Sequence, residues 1–222
     1  GKVFLWNHPS VNQAPGLTTE LKEVPLWLKE TKANYPPEVR TALANVLERL
    51  SKKPSVAEEK TPWILIACEE CLQEPATWQR WIGLFSLGAL DNLRLVVRSL
   101  DETEKHDMRF AALDTLRTWI GRKPDQDVPL RALLEQREYS PEECNLFLQY
   151  LRGYDQFNAA IVRQLISSLN NNRLIIRELA LQNLNMAVPP DKLSEFKALP
   201  LQPADVRERA VETLENRLLP KQ

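Results

Sequence analysis

Residues 105–121 read KHDMRFAALDTLRTWIG. Met108, Ala112 and Leu116 are spaced four apart and therefore share one face of a helix. The stretch predicts an amphipathic helix from Lys105 to Ile120, with Gly121 as its C-terminal cap. Its order is an apolar residue, arginine, a small or aliphatic residue three further on, and an aliphatic residue four beyond that. The same order recurs at Val39-Arg40…Leu43…Leu47, Ile176-Arg177…Ala180…Leu184 and Val206-Arg207…Ala210…Leu214. The starts lie 69, 68 and 30 residues apart. The first two spacings are close to two units of about 34 residues, and such a period on a helical background indicates a solenoid. Intermediate units, with a degraded pattern, fall near Trp78–Ala89 and Cys144–Tyr154.

Helical signals continue on both sides of this stretch. Pro37 opens a helix to about Leu50, and Thr61-Pro62 opens an apolar one to about Leu72. Pro75 starts another, ending near Leu87-Gly88, and Leu90 to Leu100 follows. Asp127 opens a helix to about Glu138. Ser140-Pro141-Glu142-Glu143 is a capping box leading a helix to Arg152, with Gly153 after it. Residues 155–169 and 172–187 pair across Asn170-Asn171. A short helix is predicted over Lys192 to Ala198 and a last one from Pro203 to about Leu218. Residues 1–18 read as irregular, because Asn7, Pro9, Asn12, Pro15 and Gly16 interrupt any long element. Residues 19–219 read as one helical domain, with a weak boundary at the polar stretch 51–60. The fold class predicted is all-α, stacked antiparallel helix pairs.

At these residues the sequence resembles HEAT repeats. The family's second helices carry aspartate or proline, then valine-arginine, an alanine and a leucine at this spacing. Asp107-Met108-Arg109 with Ala112 and Leu116 matches best, and Pro37-Glu38-Val39-Arg40 and Asp205-Val206-Arg207 match well. The resemblance implies a right-handed α-solenoid and a scaffolding or protein-binding role. The stretch from Asp91 to Leu214 also resembles helical C-terminal regions of uncharacterised bacterial proteins, a likeness that implies no activity.

Composition narrows the function classes. The 29 basic and 30 acidic residues leave a formal net charge of −1, so no electrostatic footprint for nucleic acid stands out. The longest apolar run, Trp63 to Cys68, is far short of the ~18 residues of a membrane span. The reading is therefore a soluble module, cytoplasmic in preference to the soluble part of an anchored or exported protein. Because the sequence starts without methionine, it reads as a segment of a longer one.

Few constellations carry chemistry. Cys68-Glu69-Glu70-Cys71 lacks a second ligand pair for zinc, and its thiols sit late in a helix instead of at the N-terminus that would activate them. They read as two small buried side chains. His8 and His106, the only histidines, stand in no recognised nucleophile motif. The pairs Glu58-Glu59, Glu69-Glu70 and Glu142-Glu143 are adjacent, so their side chains diverge on a helix. Gly83 and Gly88 are isolated and form no phosphate loop. No catalytic residue, cofactor or metal is predicted. Trp78 and Trp81 flank Arg80 and suggest an alternative, a helical-repeat nucleic-acid-binding protein or an enzyme similar to the helical DNA glycosylases. Near-neutral charge weighs against it.

The preferred reading is a non-catalytic, monomeric module for a protein or peptide partner. Each repeated helix devotes one stripe to packing, so its outer side is available. The candidates on that side are Asp114, Arg117 and Thr118 in the helix at 105–120, and Arg173, Gln182 and Asn183 in the helix at 172–187. The arginine column is expected to be structural, each arginine pairing with an acidic group of the next unit.

Overall fold

Prolines and capping side chains set several of the helix starts. The computed structural model describes residues 36–51, 63–102, 104–122 and 125–219. Ten α-helices occur among them: α1 (Pro37–Ser51), α2 (Trp63–Leu72), α3 (Thr77–Ala89), α4 (Leu93–Arg98), α5 (His106–Ile120), α6 (Asp127–Glu135), α7 (Pro141–Arg152), α8 (Ala159–Ser168), α9 (Leu174–Ala187) and α10 (Ala204–Leu218). The described residues contain no strand, and none of their helices is long and apolar enough to cross a membrane. The predicted irregular segment 1–18 and nearly all of the stretch 51–60 lie outside the described residues.

Two compact units divide the chain between Ile82 and Gly83, inside α3. In the first, α1 buries Val39, Ala42, Leu43 and Val46, the i, i+3, i+4, i+7 stripe of an amphipathic helix, with Cys71 and Ile82 in the same core. Arg40, next to that stripe, is exposed.

In the second unit α4 packs on α5 and α6, α6 on α7, and α8 on α9. The helices α5, α7 and α9 form its centre, α7 lying against both others. Asn183 Nδ2 donates to Tyr150 O at 2.9 Å, while Arg173, just before α9, reaches Glu143 near the start of α7. These paired positions make α7 and α9 run in the same direction. Arg109 with Glu178 and Arg117 with Gln182 give α5 and α9 a common direction too. Met108, Ala112 and Leu116, like Ile176, Ala180 and Leu184, are at most 3% exposed. The predicted stripes of these two helices are therefore buried. On α10 only Leu214 of the stripe is fully buried, with Val206 and Ala210 half-buried.

Two boundaries differ from the sequence reading for identifiable reasons. The helix expected from residue 155 begins at Ala159, because the Asn158 side chain accepts from Ile161 N–H at 2.9 Å and caps it there. The helix expected over Lys192 to Ala198 is replaced by 3-10 turns at Pro190–Lys192, Ser194–Phe196 and Leu199–Leu201. Their three-residue period aligns Leu193, Phe196 and Leu199 on one buried side. Gly121 follows α5 as predicted but with φ −77°, so the stop makes no use of glycine's left-handed freedom. That freedom is used at Gly153 after α7, at φ +78°. The capping box forms in full: Ser140 Oγ accepts from Glu143 N–H, and Glu143 accepts from Ser140 N–H.

Candidate functional site

Three of the four arginines that follow the apolar position at the head of a stripe, Arg109, Arg177 and Arg207, have a shared task. Arg177 donates from Nη1 to the carbonyls of Asn171 and Asn172 at 2.7 and 2.8 Å. Its Nε donates to Pro200 O at 2.8 Å. Arg207 Nη1 donates to Gln202 O at 2.6 Å, and Arg109 Nη1 bonds Glu102 O. In the first unit Arg80 Nη1 holds Glu74 O and Pro75 O at 2.7 and 2.6 Å. Each guanidinium folds back onto carbonyls five to seven residues earlier, in the turn before its own helix. A planar group with five donors can satisfy several such acceptors at once. Cys144 takes the corresponding place on α7, with Sγ 3.9 Å from Tyr139 O, five residues back. Phe147 and Leu151 complete that stripe and are buried.

The expectation that each arginine pairs with an acid of the next unit therefore needs correction. Arg109 does meet an acid, holding both carboxylate oxygens of Glu178, but two units further on. Arg177 and Arg207 instead spend their bonded donors on backbone carbonyls, because the turn preceding each helix lies within their reach.

The six candidate partner residues separate into two groups. Asp114, Arg117, Thr118 and Gln182 are half-buried and come together. Arg117 donates to Asp114 Oδ1 at 3.3 Å and to Gln182 Oε1 at 2.5 Å, joining α5 to α9. Thr118 Oγ1 donates to Asp114 O at 2.9 Å. Burial raises the Asp114 pKa against the opposing pull of Arg117.

The other two behave differently. Asn183 does not line an outer face. It is 1% exposed, and its amide donates to Tyr150 O and Leu179 O at 2.9 Å each. The side next to Gln182 is turned toward α7, which the sequence did not place there. Arg173 is occupied with structure: its guanidinium lies 4.3 Å from the Tyr139 ring centroid, 3.4 Å from Glu143 Oε1, and bonds Glu138 O.

Two residues that the sequence reading passed over adjoin the first group. Phe110 lies one turn before Asp114 and is 37% exposed, and Met186 lies one turn after Gln182 and is 67% exposed. Apolar side chains at outward positions of otherwise polar helix faces were the available signal.

The remaining candidates are placed as follows. Cys68 and Cys71 are buried, and burial pushes the Cys71 pKa up. His106 Nε2 stands 3.8 Å from Glu178 Oε1, on a carboxylate already engaged by Arg109. Trp78 and Trp81 pack edge to face with centroids 4.9 Å apart. Glu69, Glu70 and Glu142 are exposed, whereas Glu143 works as a helix cap. His8 and Glu58-Glu59 lie outside the described residues. No group of three or more His, Cys, Asp or Glu side chains converges as a metal site among the described residues. No protein-family model matches the sequence, and comparison with curated proteins and with solved structures gives no match either.

Proposed function

We propose that the chain is a non-catalytic, HEAT-like helical-repeat module that binds a protein or peptide partner through the outer faces of α5 and α9. The observation that carries this reading is the surface around Arg117. An exposed aromatic residue and an exposed methionine flank a half-buried polar network on two helices joined side by side. Aromatic residues and methionine are enriched at protein interfaces, and methionine adapts to varied partner shapes. The polar groups between them are of both signs, which suits a protein surface better than a polyanion.

The repeat reading is supported by the turn-capping arginines and by the buried stripes of α5 and α9. In an extended array each unit would touch only its neighbours. The contact of Arg109 with Glu178 spans two such units, so the reading is of a tightly curved or compact stack.

A pull-down tests the function. Phe110→Ser with Met186→Ser, both at exposed positions, should remove a captured protein partner while thermal stability stays nearly unchanged. Undiminished capture by this variant, or retention of duplex DNA by the wild-type chain at physiological salt, would displace the proposal.

A further inference from the structure

Arg177 and Arg207 are close enough for their charges to repel, and each is only 9% exposed. All of their hydrogen-bond acceptors, the carbonyls of Asn171, Asn172, Pro200 and Gln202, are neutral. The carboxylate nearest in effect to Arg177 is that of Glu178, which Arg109 already holds through both oxygens. Carbonyl dipoles satisfy donors but leave the two positive charges without an ion-pair partner among the described residues, an arrangement that folded proteins ordinarily avoid when charges are buried. Arg207 Nε is sealed from solvent without an acceptor. Arg177 Nη2 also carries no bond to a described residue but is not sealed, and Arg177 lines an open cleft of about 410 Å³.

The rest of that cleft limits what could neutralise the arginine. Leu174, Tyr139 and Leu201 line it, the last 57% exposed, together with Asn172 as a neutral polar group. Asp101 and Arg173 stand at the same cleft, Asp101 bonded by Arg137 and Arg173 beside Glu143. With those two charges already paired, the apolar lining favours a single carboxylate on an apolar body over inorganic phosphate. We propose that the cleft binds a carboxylate carried on an apolar body, with the carboxylate on Arg177 and the apolar part against Leu174 and Leu201. Of the candidate partner residues only Arg173 lines this cleft, and it lies outside the proposed face around Arg117, so the two proposals fail independently.

The test uses the ¹⁵N-labelled full chain, titrated with 4-methylpentanoate, with acetyl-glycyl-leucine, with 4-methylpentanamide and with inorganic phosphate. The expected result is saturable movement of the Leu174 and Ile175 amides and the Arg177 Nε–H with carboxylates, and none with the amide. Saturation by both carboxylates, or by the peptide alone, supports the site, the second outcome identifying a peptide terminus as the source. Leu201→Glu, at an exposed position, should weaken binding roughly tenfold through like-charge repulsion, with an unchanged melting curve. Equal shifts with the carboxamide, tighter binding of phosphate, binding unaffected by Leu201→Glu, or no movement with either carboxylate would each overturn the proposal.

Discussion

Arg109 and Glu178 meet side-on: Nε lies 3.0 Å from Oε2 and Nη2 lies 2.6 Å from Oε1. The two residues are 69 positions apart in sequence, and the Arg109 side chain is 1% exposed. A bidentate pair of this kind is strong because both charges and two parallel hydrogen bonds coincide. Glu178→Ala would leave the guanidinium buried without its counter-charge and should cost about 3–5 kcal/mol in chemical denaturation. The double replacement Arg109→Met with Glu178→Leu should cost much less, because no charge is then stranded. A single replacement no worse than the double would contradict this assignment.

Ala180 is fully buried on α9, in register with Ile176 and Leu184. Ala180→Asp should unfold the second unit or destabilise it by about 4 kcal/mol or more, since a carboxylate would enter an apolar layer. Thermal melting followed by circular dichroism checks this.

At Gly88 two effects oppose each other. Alanine is favoured over glycine by about 1 kcal/mol in a helix interior and by less at Gly88, the next-to-last residue of α3. A Cβ at this position, however, would collide with the Thr115 methyl, and Thr115 is itself buried. Overpacking typically costs about 1–3 kcal/mol, so Gly88→Ala should be net destabilising. Adding Thr115→Ser should recover most of the loss, because serine lacks the methyl yet can keep the 2.7 Å bond to Ala111 O. Absence of rescue would show that the two side chains do not meet.

Tyr139, Tyr150 and Tyr154 all have raised pKa values, in each case chiefly through burial; that of Tyr154 reaches about 12. Unfolded tyrosine ionises near pH 10. Between that pH and the folded pKa values the unfolded chain releases protons that the folded chain keeps. Stability is thus fully present below about pH 10 and is lost as pH rises through the folded values. Absorbance at 295 nm should show these phenols ionising together with loss of the helical signal. Tyrosinate formation near pH 10 in a chain that remains folded would contradict their burial.

Much of the helical framework was legible because local signals decide it. The Ser140 capping box, the prolines and the buried stripes of α5 and α9 act over a few residues, and the structure follows them. What the sequence did not disclose depends on neighbours. Asn183 looks like an outward polar residue until α7 is placed beside it, and Arg173 looks available until Tyr139 and Glu143 reach it. The task of the arginines was obscured for a different reason: their partners are backbone carbonyls, which leave no trace in residue type. For the same reason Cys144 was not seen to occupy an arginine's place. Phe110 and Met186 are visible as apolar residues, but their exposure depends on which side of α5 and α9 the neighbouring helices leave open.

The central claim, that a protein partner binds the face between Phe110 and Met186, is tested most directly by photo-crosslinking. A photoreactive phenylalanine analogue would be placed in turn at Phe110, at Met186 and at Arg163, an exposed position on α8. The account predicts that one protein species is captured from positions 110 and 186 and not from 163. Capture from 163 alone, or from none of the three, would contradict it.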